Sequence, residues 1–171
     1  MNSIIQMDSE MYPNTSGFNF FDIYNKNSFK QPPRITWIDG WKVEYMAIAD
    51  PATIHNTPIL IVGGAFQTFS SYKYCVEQLF EKVHVILSDL PSLGSNQQIH
   101  NRDTGLSAGS LEISQLSTML GTWLDIVEIS KVSVMGMSLG SVVASCFAAQ
   151  RPELMDRMIL MGVMQKTRKS W

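Results

Sequence analysis

Short runs of apolar residues alternate along the chain with longer stretches in which apolar residues recur every three or four positions. The short runs are typical of buried strands, and the longer stretches are typical of amphipathic helices. This pattern predicts strands over 34–38, 41–49, 59–62, 83–87, 132–135 and 158–161. It predicts helices over 72–80, 113–127 and 139–147. Strands that alternate with helices indicate an α/β domain with a mainly parallel sheet.

The first part of the chain has a different pattern. Residues 1–31 are rich in Asn, Ser and aromatic residues and show no clear period, so we predict a mostly irregular N-terminal segment. Pro32-Pro33 ends this segment, and we place the α/β core over 32–171. Asp39-Gly40 separates the first two predicted strands and is a strong signal for a two-residue hairpin. The sheet is therefore expected to begin with an antiparallel hairpin.

Composition narrows the class of protein. With 171 residues, 45% of them apolar and 16% charged, the chain fits one globular domain. A net charge of −2 gives no reason to expect binding to nucleic acid or to anionic membranes. We see no secretory signal and no apolar run of the ~20 residues that a membrane span needs, so we expect a cytoplasmic protein. Cys75 and Cys146 fall on apolar helix faces, which favours buried thiols over a disulfide.

A G-x-S-x-G motif, Gly136-Met-Ser138-Leu-Gly140, stands between the strand over 132–135 and the helix over 139–147. A glycine-flanked serine between a strand and a helix is typical of a nucleophile elbow, a turn so tight that the serine backbone is strained. A side chain at Gly136 or Gly140 is expected to collide with neighbouring elements. The hydroxyl of Ser138 would then stand at the end of the sheet, beside a helix N-terminus that favours negative charge. Such a site can attack a carbonyl carbon.

A serine nucleophile requires an oxyanion hole. One donor is expected to be the backbone N–H of Leu139, the residue after the nucleophile. The second is expected from residues Gly63–Phe66, here called the oxyanion loop, because glycines let the backbone approach a substrate oxygen. Ala65 is the expected donor and Phe66 the next candidate. The alternative is that Gly63-Gly64 only makes a turn between strand and helix.

Four landmarks, taken in order, resemble the α/β-hydrolase superfamily from about Arg34 to Val163. They are the hairpin, the oxyanion loop, residues 89–95 and the elbow. Asp89-Leu-Pro-Ser92-Leu-Gly-Ser95 is similar to the D-x-P-G-x-G-x-S turn of this superfamily, with Ser92 in place of the first glycine. Residues 62–68 and 88–95 also resemble the rhamnolipid-type hydroxyacyl transferases, which use acyl chains carried by acyl carrier protein. The resemblance implies an ester or thioester substrate, either a small molecule or an acyl carrier.

The sequence departs from this superfamily in its general base. The resemblance implies a triad in the order Ser, Asp or Glu, His, yet His55, His84 and His100 all precede Ser138. We interpret each as an ordinary loop or strand residue, and we keep His100 as the alternative candidate for a displaced base. The acids after Ser138, Glu153 and Asp156, are expected in the connection before the last strand. A superfamily member would continue with a cap and further strands, so we expect an incomplete core.

Two functions follow as alternatives. The first is a serine hydrolase or acyltransferase acting on an ester or thioester, and the second is a non-catalytic binding protein or an inactive fragment of such an enzyme. Met137, beside the nucleophile, is a candidate for lining an acyl pocket, with core filling as its alternative. Neither metal-ligand spacing nor a phosphate-binding glycine pattern is present, so no metal or cofactor is expected. The last predicted strand would be an exposed apolar edge, from which we expect self-association.

Overall fold

A single mixed sheet forms the centre of the protein. The computed structural model describes residues 22–23, 28–49 and 56–163. Its strands are β1 (Asp22–Ile23), β2 (Arg34–Ile38), β3 (Trp41–Ala49), β4 (Ile59–Val62), β5 (Val85–Asp89), β6 (Val132–Met137) and β7 (Met155–Met161). Their order in the sheet is β1-β3-β5-β4-β6-β7, and β2 pairs with β3. From β5 to β7 all neighbours are parallel, whereas β3 runs antiparallel to both β2 and β5. The predicted α/β sheet with an entering hairpin is confirmed.

Helices connect the parallel strands. They are α1 (Lys73–Leu79), α2 (Ile113–Ile126) and α3 (Leu139–Gln150). Short 3-10 turns occupy Ser28–Lys30, Phe69–Tyr72, Gly94–Asn96, Ala108–Ser110 and Pro152–Leu154. Glu112 and Gln115 form a reciprocal capping box at the start of α2, which satisfies two backbone N–H groups of its first turn.

Each face of the sheet has its own core. Leu60 of β4 lies in the larger cluster with Trp123 of α2 and Phe147 of α3. Ile61, the next residue, lies in the smaller cluster with Val76 of α1. Successive strand residues point to opposite faces, so a strand covered on both sides is apolar throughout. This explains why 59–62 reads as a continuous apolar run, with α1 on one face and α2 and α3 on the other.

The hairpin turn between β2 and β3 is the one that Asp39-Gly40 predicts. Ile38 pairs with Trp41, which leaves two residues in the turn. Asp39 and Gly40 have φ angles of 47° and 76°. Positive φ at both central residues is the signature of a type I′ turn, whose twist matches that of the flanking strands.

Three of the predicted strands have bounds that are wrong by two or three residues. β5 covers Val85–Asp89 instead of 83–87, and its last residues, Ser88 and Asp89, are polar but buried because they pair inside the sheet. β6 continues to Met137 beyond the predicted end. β7 begins at Met155, so Asp156 is part of the strand and not of the connection before it. Hydrogen bonding to neighbouring strands extends these strands into segments whose polarity is typical of loops.

Two further expectations concern the N-terminal segment and the cysteines. Within 1–31 the structure describes only 22–23 and 28–31, and 22–23 pairs with β3 as a short parallel strand. Cys75 and Cys146 are free but half-buried, so the expectation of buried thiols was wrong. The buried stripe of α1 is centred on Val76 and that of α3 includes Phe147, which leaves each cysteine at the side of its helix. Because α1 and α3 cover opposite faces of the sheet, the two thiols cannot form a disulfide.

Candidate active site

Ser138 occupies the turn between β6 and α3. Its backbone angles are φ 53° and ψ −120°, which lie outside the conformations that residues with side chains ordinarily adopt. The residue is exposed, and its N–H donates to the carbonyl oxygen of Met161 at 2.8 Å. Strand, strained serine and helix therefore follow one another at the carboxyl edge of the sheet, and the Ser138 side chain is accessible there.

The two glycines of the motif have no room for a side chain. A Cβ on Gly140 would lie 2.1 Å from the carbonyl oxygen of Val62. A Cβ on Gly136 would lie 2.7 Å from the carbonyl oxygen of Gly140. Both clashes are with backbone, which cannot move aside as a flexible side chain can. The close approach of α3 to β4 therefore requires glycine at 140, and its close approach to β6 requires glycine at 136, as the sequence predicts.

Ser141 stabilises the elbow through hydrogen bonds to backbone carbonyl groups, and the sequence did not indicate this role. Its side chain is fully buried, and its hydroxyl lies 2.8 Å from the carbonyl oxygen of Gly136 and 2.9 Å from that of Met161. The hydroxyl thus joins the end of β6 to the end of β7, beneath Ser138. A small polar residue three positions after Ser138 was its only signal in the sequence.

The oxyanion loop lies directly against the candidate nucleophile. A Cβ on Gly64 would lie 3.0 Å from Cβ of Ser138, which is tighter than ordinary contact, so a side chain there would require its neighbours to shift. The N–H of Gln67 donates to the carbonyl oxygen of Gly64 at 3.2 Å and closes a turn. Ala65 and Phe66 are the central residues of this turn, and their N–H groups take no part in the hydrogen bond that closes it. Phe66 extends its ring into solvent, with 86% of its surface exposed.

Leu139 is the first residue of α3 and follows Ser138 directly. The first N–H groups of a helix have no acceptor within the helix and are available to an anion. The structure therefore brings together Ser138, the N–H of Leu139 and the loop that carries Ala65 and Phe66.

Side chains that the sequence did not single out hold the oxyanion loop. The Oε1 atom of Gln67 accepts the N–H of Gly64 at 2.8 Å and the hydroxyl of Tyr72 at 3.0 Å. The side-chain Nε2 of Gln97 donates to the carbonyl oxygen of Ala65. Burial, together with the nearby Asp89 carboxyl, raises the pKa of Tyr72 to about 12, so its phenol stays protonated and donates at neutral pH.

Asp89 ends β5 and organises the third landmark. Its carboxylate is buried, and Oδ2 accepts the N–H of Ser95 at 2.9 Å. A Cβ on Gly94 would lie 2.2 Å from this carboxyl group, which explains the glycine there. Burial raises the pKa of Asp89 to about 6, the charge of Glu44 adds to this, and the N–H of Ser95 opposes it.

Met137 is half-buried and packs against the smaller core cluster beside α1. Its carbonyl oxygen would lie 3.5 Å from a Cβ on Gly64, so its backbone borders the site. The side chain thus fills the core next to the elbow, and its contact with substrate stays a prediction.

Neither of the two histidines within the described residues lies near Ser138; His55 lies outside them. His84 accepts the N–H of Ile59 through its carbonyl oxygen, so it sits at the amino edge of the sheet. Ile59 pairs with Ser133, which is five residues before Ser138, so roughly 16 Å separates the two at about 3.3 Å per residue. His100 is exposed and forms a bridge with Ser107.

The loop that carries His100 is hydrogen-bonded to the turn of the β2–β3 hairpin, which lies several strands away from β6. Asn101 donates its side-chain amide to the carbonyl oxygen of Asp39, and the N–H of Arg102 donates to that of Gly40. β3, which follows this turn, is three strands from β6, about 14 Å at ~4.8 Å per strand. This places His100 beyond hydrogen-bonding reach of Ser138.

The two acids after Ser138 are also remote from it. Glu153 forms an ion pair with Arg151 on the surface. The Oδ2 atom of Asp156 accepts the hydroxyl of Ser133 at 3.2 Å, near the start of β6, whereas Ser138 follows its end. Contact with Arg151 holds the pKa of Glu153 below its usual value. Neither carboxylate is placed to orient a base next to Ser138.

The described part of the chain holds no cluster of three or more His, Cys, Asp or Glu side chains arranged as metal ligands. Within the same residues, no helix is both long and apolar enough to cross a membrane.

Comparison with known structures finds the same fold in several hydrolases. The epoxide hydrolase CorEH superposes with a TM-score of 0.64 at 21% identity, over 81% of this chain and 46% of that one. A carboxylesterase structure from the thaumarchaeon Nitrososphaera gargenis gives 0.59 at 21% identity, over 75% and 44%. A membrane phospholipase A described as a bacterial virulence factor gives 0.62 at 18% identity, over 81% and 42%. These likenesses concern the fold.

The chain spans less than half the length of these three structures. No curated protein matches it at a significant level. A family model described as alpha/beta hydrolase fold matches residues 57–171, which include β4, the oxyanion loop, β5 and the elbow. The chain belongs to the alpha/beta hydrolase fold family.

Proposed function

We propose that Ser138 is the nucleophile of a serine hydrolase or acyltransferase that acts on an ester or thioester. The observation that carries this proposal is the strained, exposed Ser138 at the start of α3, with Gly64 against its Cβ. The hydroxyl oxygen would attack the carbonyl carbon, and the N–H groups of Ala65 and Leu139 would hold the oxyanion. Collapse of the intermediate would release the alcohol or thiol, which takes up the proton that Ser138 lost, and would leave an acyl-serine. Water or a second hydroxyl would then accept the acyl group, and Ser138 would regain its proton.

This chemistry requires a general base that neither described histidine supplies. A serine hydroxyl is a weak nucleophile at neutral pH unless a base accepts its proton. Full turnover therefore depends on a base other than His84 and His100. Without one, we expect Ser138 to react slowly with strongly electrophilic reagents, assisted by the backbone donors.

A fluorophosphonate probe tests whether Ser138 is activated. We expect covalent labelling of the wild-type chain, and its loss in Ser138→Ala, measured by mass spectrometry of the intact protein and of the peptide that contains the elbow. Ser130→Ala, at an exposed serine one residue from the end of the loop before β6, is the matched control and should label like wild type. Labelling that persists in Ser138→Ala would contradict the proposal.

The alternative function is a non-catalytic binding protein of the same fold. The positions of His84 and His100, both remote from Ser138, favour it. If the folded wild-type chain is labelled no faster than Ser138→Ala, this alternative is selected.

The type of substrate is inferred from the fold family and from the sequence of the oxyanion loop. We infer an ester or thioester of a small molecule or of an acyl carrier, with acyl transfer as an outcome beside hydrolysis. We also infer a cytoplasmic location, with which two free cysteines are compatible.

A further inference from the structure

The oxyanion loop contains two consecutive glycines, Gly63 and Gly64, which by themselves fix no backbone conformation. A donor is useful in an oxyanion hole only when its direction is set before the reaction, since reorganising it costs part of the stabilisation. Residues outside the loop must therefore orient it, and its hydrogen bonds show which residues these are.

Gln67 binds both polar backbone groups of Gly64. Its side-chain Oε1 accepts the N–H of Gly64 at 2.8 Å, and its backbone N–H donates to the carbonyl oxygen of Gly64 at 3.2 Å. The first bond holds the peptide plane before Gly64 and the second holds the plane after it. In a trans peptide the N–H points opposite to the C=O, so directing the Gly64 carbonyl toward Gln67 directs the Ala65 N–H away from it.

Tyr72 and Gln97 complete this arrangement. The Tyr72 hydroxyl donates to the same Oε1 atom of Gln67 at 3.0 Å and lies 2.2 Å from where a Cβ on Gly63 would stand. Tyr72 is 4% exposed, so its ring fixes the hydroxyl from within the core. Gln97 holds the carbonyl oxygen of Ala65, which sets the next peptide plane.

We propose that Gln67 is the positioning residue of the oxyanion hole, and that its carboxamide fixes Gly64 so that the Ala65 N–H is directed to the Ser138 side of the loop. This inference rests on the proposed function of Ser138. Gln67 acts through the backbone of Gly64 and takes no part in bond making itself.

Two substitutions separate this role from a general effect on folding. Gln67→Met keeps the approximate length of the side chain and removes the acceptor. We expect fluorophosphonate labelling of Ser138 to slow by at least about 10-fold, below the 10²–10³-fold that removal of an oxyanion donor causes, because the donor is misdirected and not deleted. Gln67→Glu keeps an oxygen that accepts from both Gly64 and Tyr72. Gln78→Met makes the same change at an exposed glutamine of α1 and should label like wild type.

A second readout follows the backbone directly. In wild type the Gly64 amide is buried and bonded, so its hydrogen exchange, measured by NMR, should be slow. We expect Gln67→Met to accelerate it by at least about 10-fold, and Gln67→Glu to restore protection. Thermal unfolding midpoints of all three variants identify any general loss of stability.

The outcomes assign failure to one proposal or the other. If wild type labels and Gln67→Met labels equally fast, the positioning role is overturned and the nucleophile stands. If wild type does not label, the proposed function fails, and hydrogen exchange at the Gly64 amide then tests whether Gln67 positions Gly64. Exchange that is unchanged in Gln67→Met overturns the positioning role. Faster exchange in Gln67→Met that Gln67→Glu restores to the wild-type rate supports the positioning role.

Discussion

Two residues near the site show how backbone geometry selects side chains. Ser92 has a φ angle of 69°, a conformation that favours glycine, and it stands where the D-x-P-G-x-G-x-S turn has its first glycine. A hydrogen bond from its hydroxyl to the carbonyl oxygen of Ala108 offsets part of the strain. Gly140 has no such freedom, because the obstacle there is the backbone of β4 and no side-chain bond can offset it.

At this scale we predict that Gly140→Ala destabilises the protein strongly. The added Cβ would lie 2.1 Å from the Val62 carbonyl oxygen, and relief requires α3 to move away from β4. We expect a loss of about 3 kcal/mol or more in the free energy of unfolding, measured by urea denaturation.

The matched control for this change is Gly109→Ala. A Cβ on Gly109 would meet its nearest neighbour, the Oγ of Ser107, at 3.8 Å, which is ordinary contact. The free energy of unfolding of this variant should change by less than about 0.5 kcal/mol. Equal effects of the two substitutions would contradict the account of the elbow.

At the scale of elements, β5 brings a carboxylate into the interior. Ser88 and Asp89 pair within the sheet and are buried, although their polarity is typical of a loop. The N–H of Ser95 satisfies one oxygen of Asp89. Because burial disfavours the charged form, the folded state holds a proton on this carboxyl at a higher pH than the unfolded chain does.

We predict a pH dependence of stability that originates at Asp89. Its pKa rises from an ordinary value of 3.8 to about 6 on folding. Between these values the folded state binds more protons than the unfolded chain. The contribution of Asp89 to the free energy of unfolding is therefore full below about pH 4 and is lost as pH rises through about 6. The contribution is at most about 3 kcal/mol for a shift of about two pKa units.

The test compares Asp89→Asn with wild type in urea denaturation at several pH values from 4 to 8. The amide oxygen can still accept the N–H of Ser95, and the side chain cannot ionise. We expect the stability of the variant, relative to wild type, to rise as pH increases from about 4 to 6.5 and then to stay level. Asp103→Asn, at an exposed carboxylate, is the control. A constant difference between Asp89→Asn and wild type across this pH range would exclude Asp89 as the source.

At the scale of the whole molecule, β7 stands out. Among the described residues it pairs only with β6. Met158, Ile159, Met161 and Val163 are 42%, 49%, 46% and 50% exposed. Consecutive strand residues point to opposite faces, so both faces of this edge are apolar and accessible. An apolar edge strand with open backbone groups pairs readily with another strand.

We therefore predict that the 171-residue chain self-associates through β7. Size-exclusion chromatography with light scattering, over a wide range of protein concentrations, should show dimers or larger species. Ile159→Lys should shift the distribution to monomer, because a charge on an edge strand opposes pairing. Ile35→Lys is the matched control: Ile35 of β2 is also 49% exposed, and its substitution should leave association unchanged. A wild-type chain that is monomeric at every concentration would contradict the prediction.

The sequence by itself determined the elements and the elbow. Apolar periodicity gave the bounds of β2, β3 and β4 without error, because strands covered on both faces and a two-residue hairpin leave clear local signals. Gly136, Ser138 and Gly140 were identifiable because the steric demand of the turn falls on residues adjacent in the chain. The alpha/beta hydrolase fold followed from the order of these landmarks.

Only the tertiary structure decided how the site is supported and how far its histidines lie from it. Gln67, Tyr72, Gln97 and Ser141 act through hydrogen bonds to backbone groups, which any polar side chain can make, so their positions leave no distinctive pattern. The strand order placed His84 and His100 away from Ser138. It also carried β5 and β7 through polar residues that read locally as loop. The physical reason is that local chemistry fixes which backbone shapes a segment can take, whereas pairing between distant segments fixes which side chains meet.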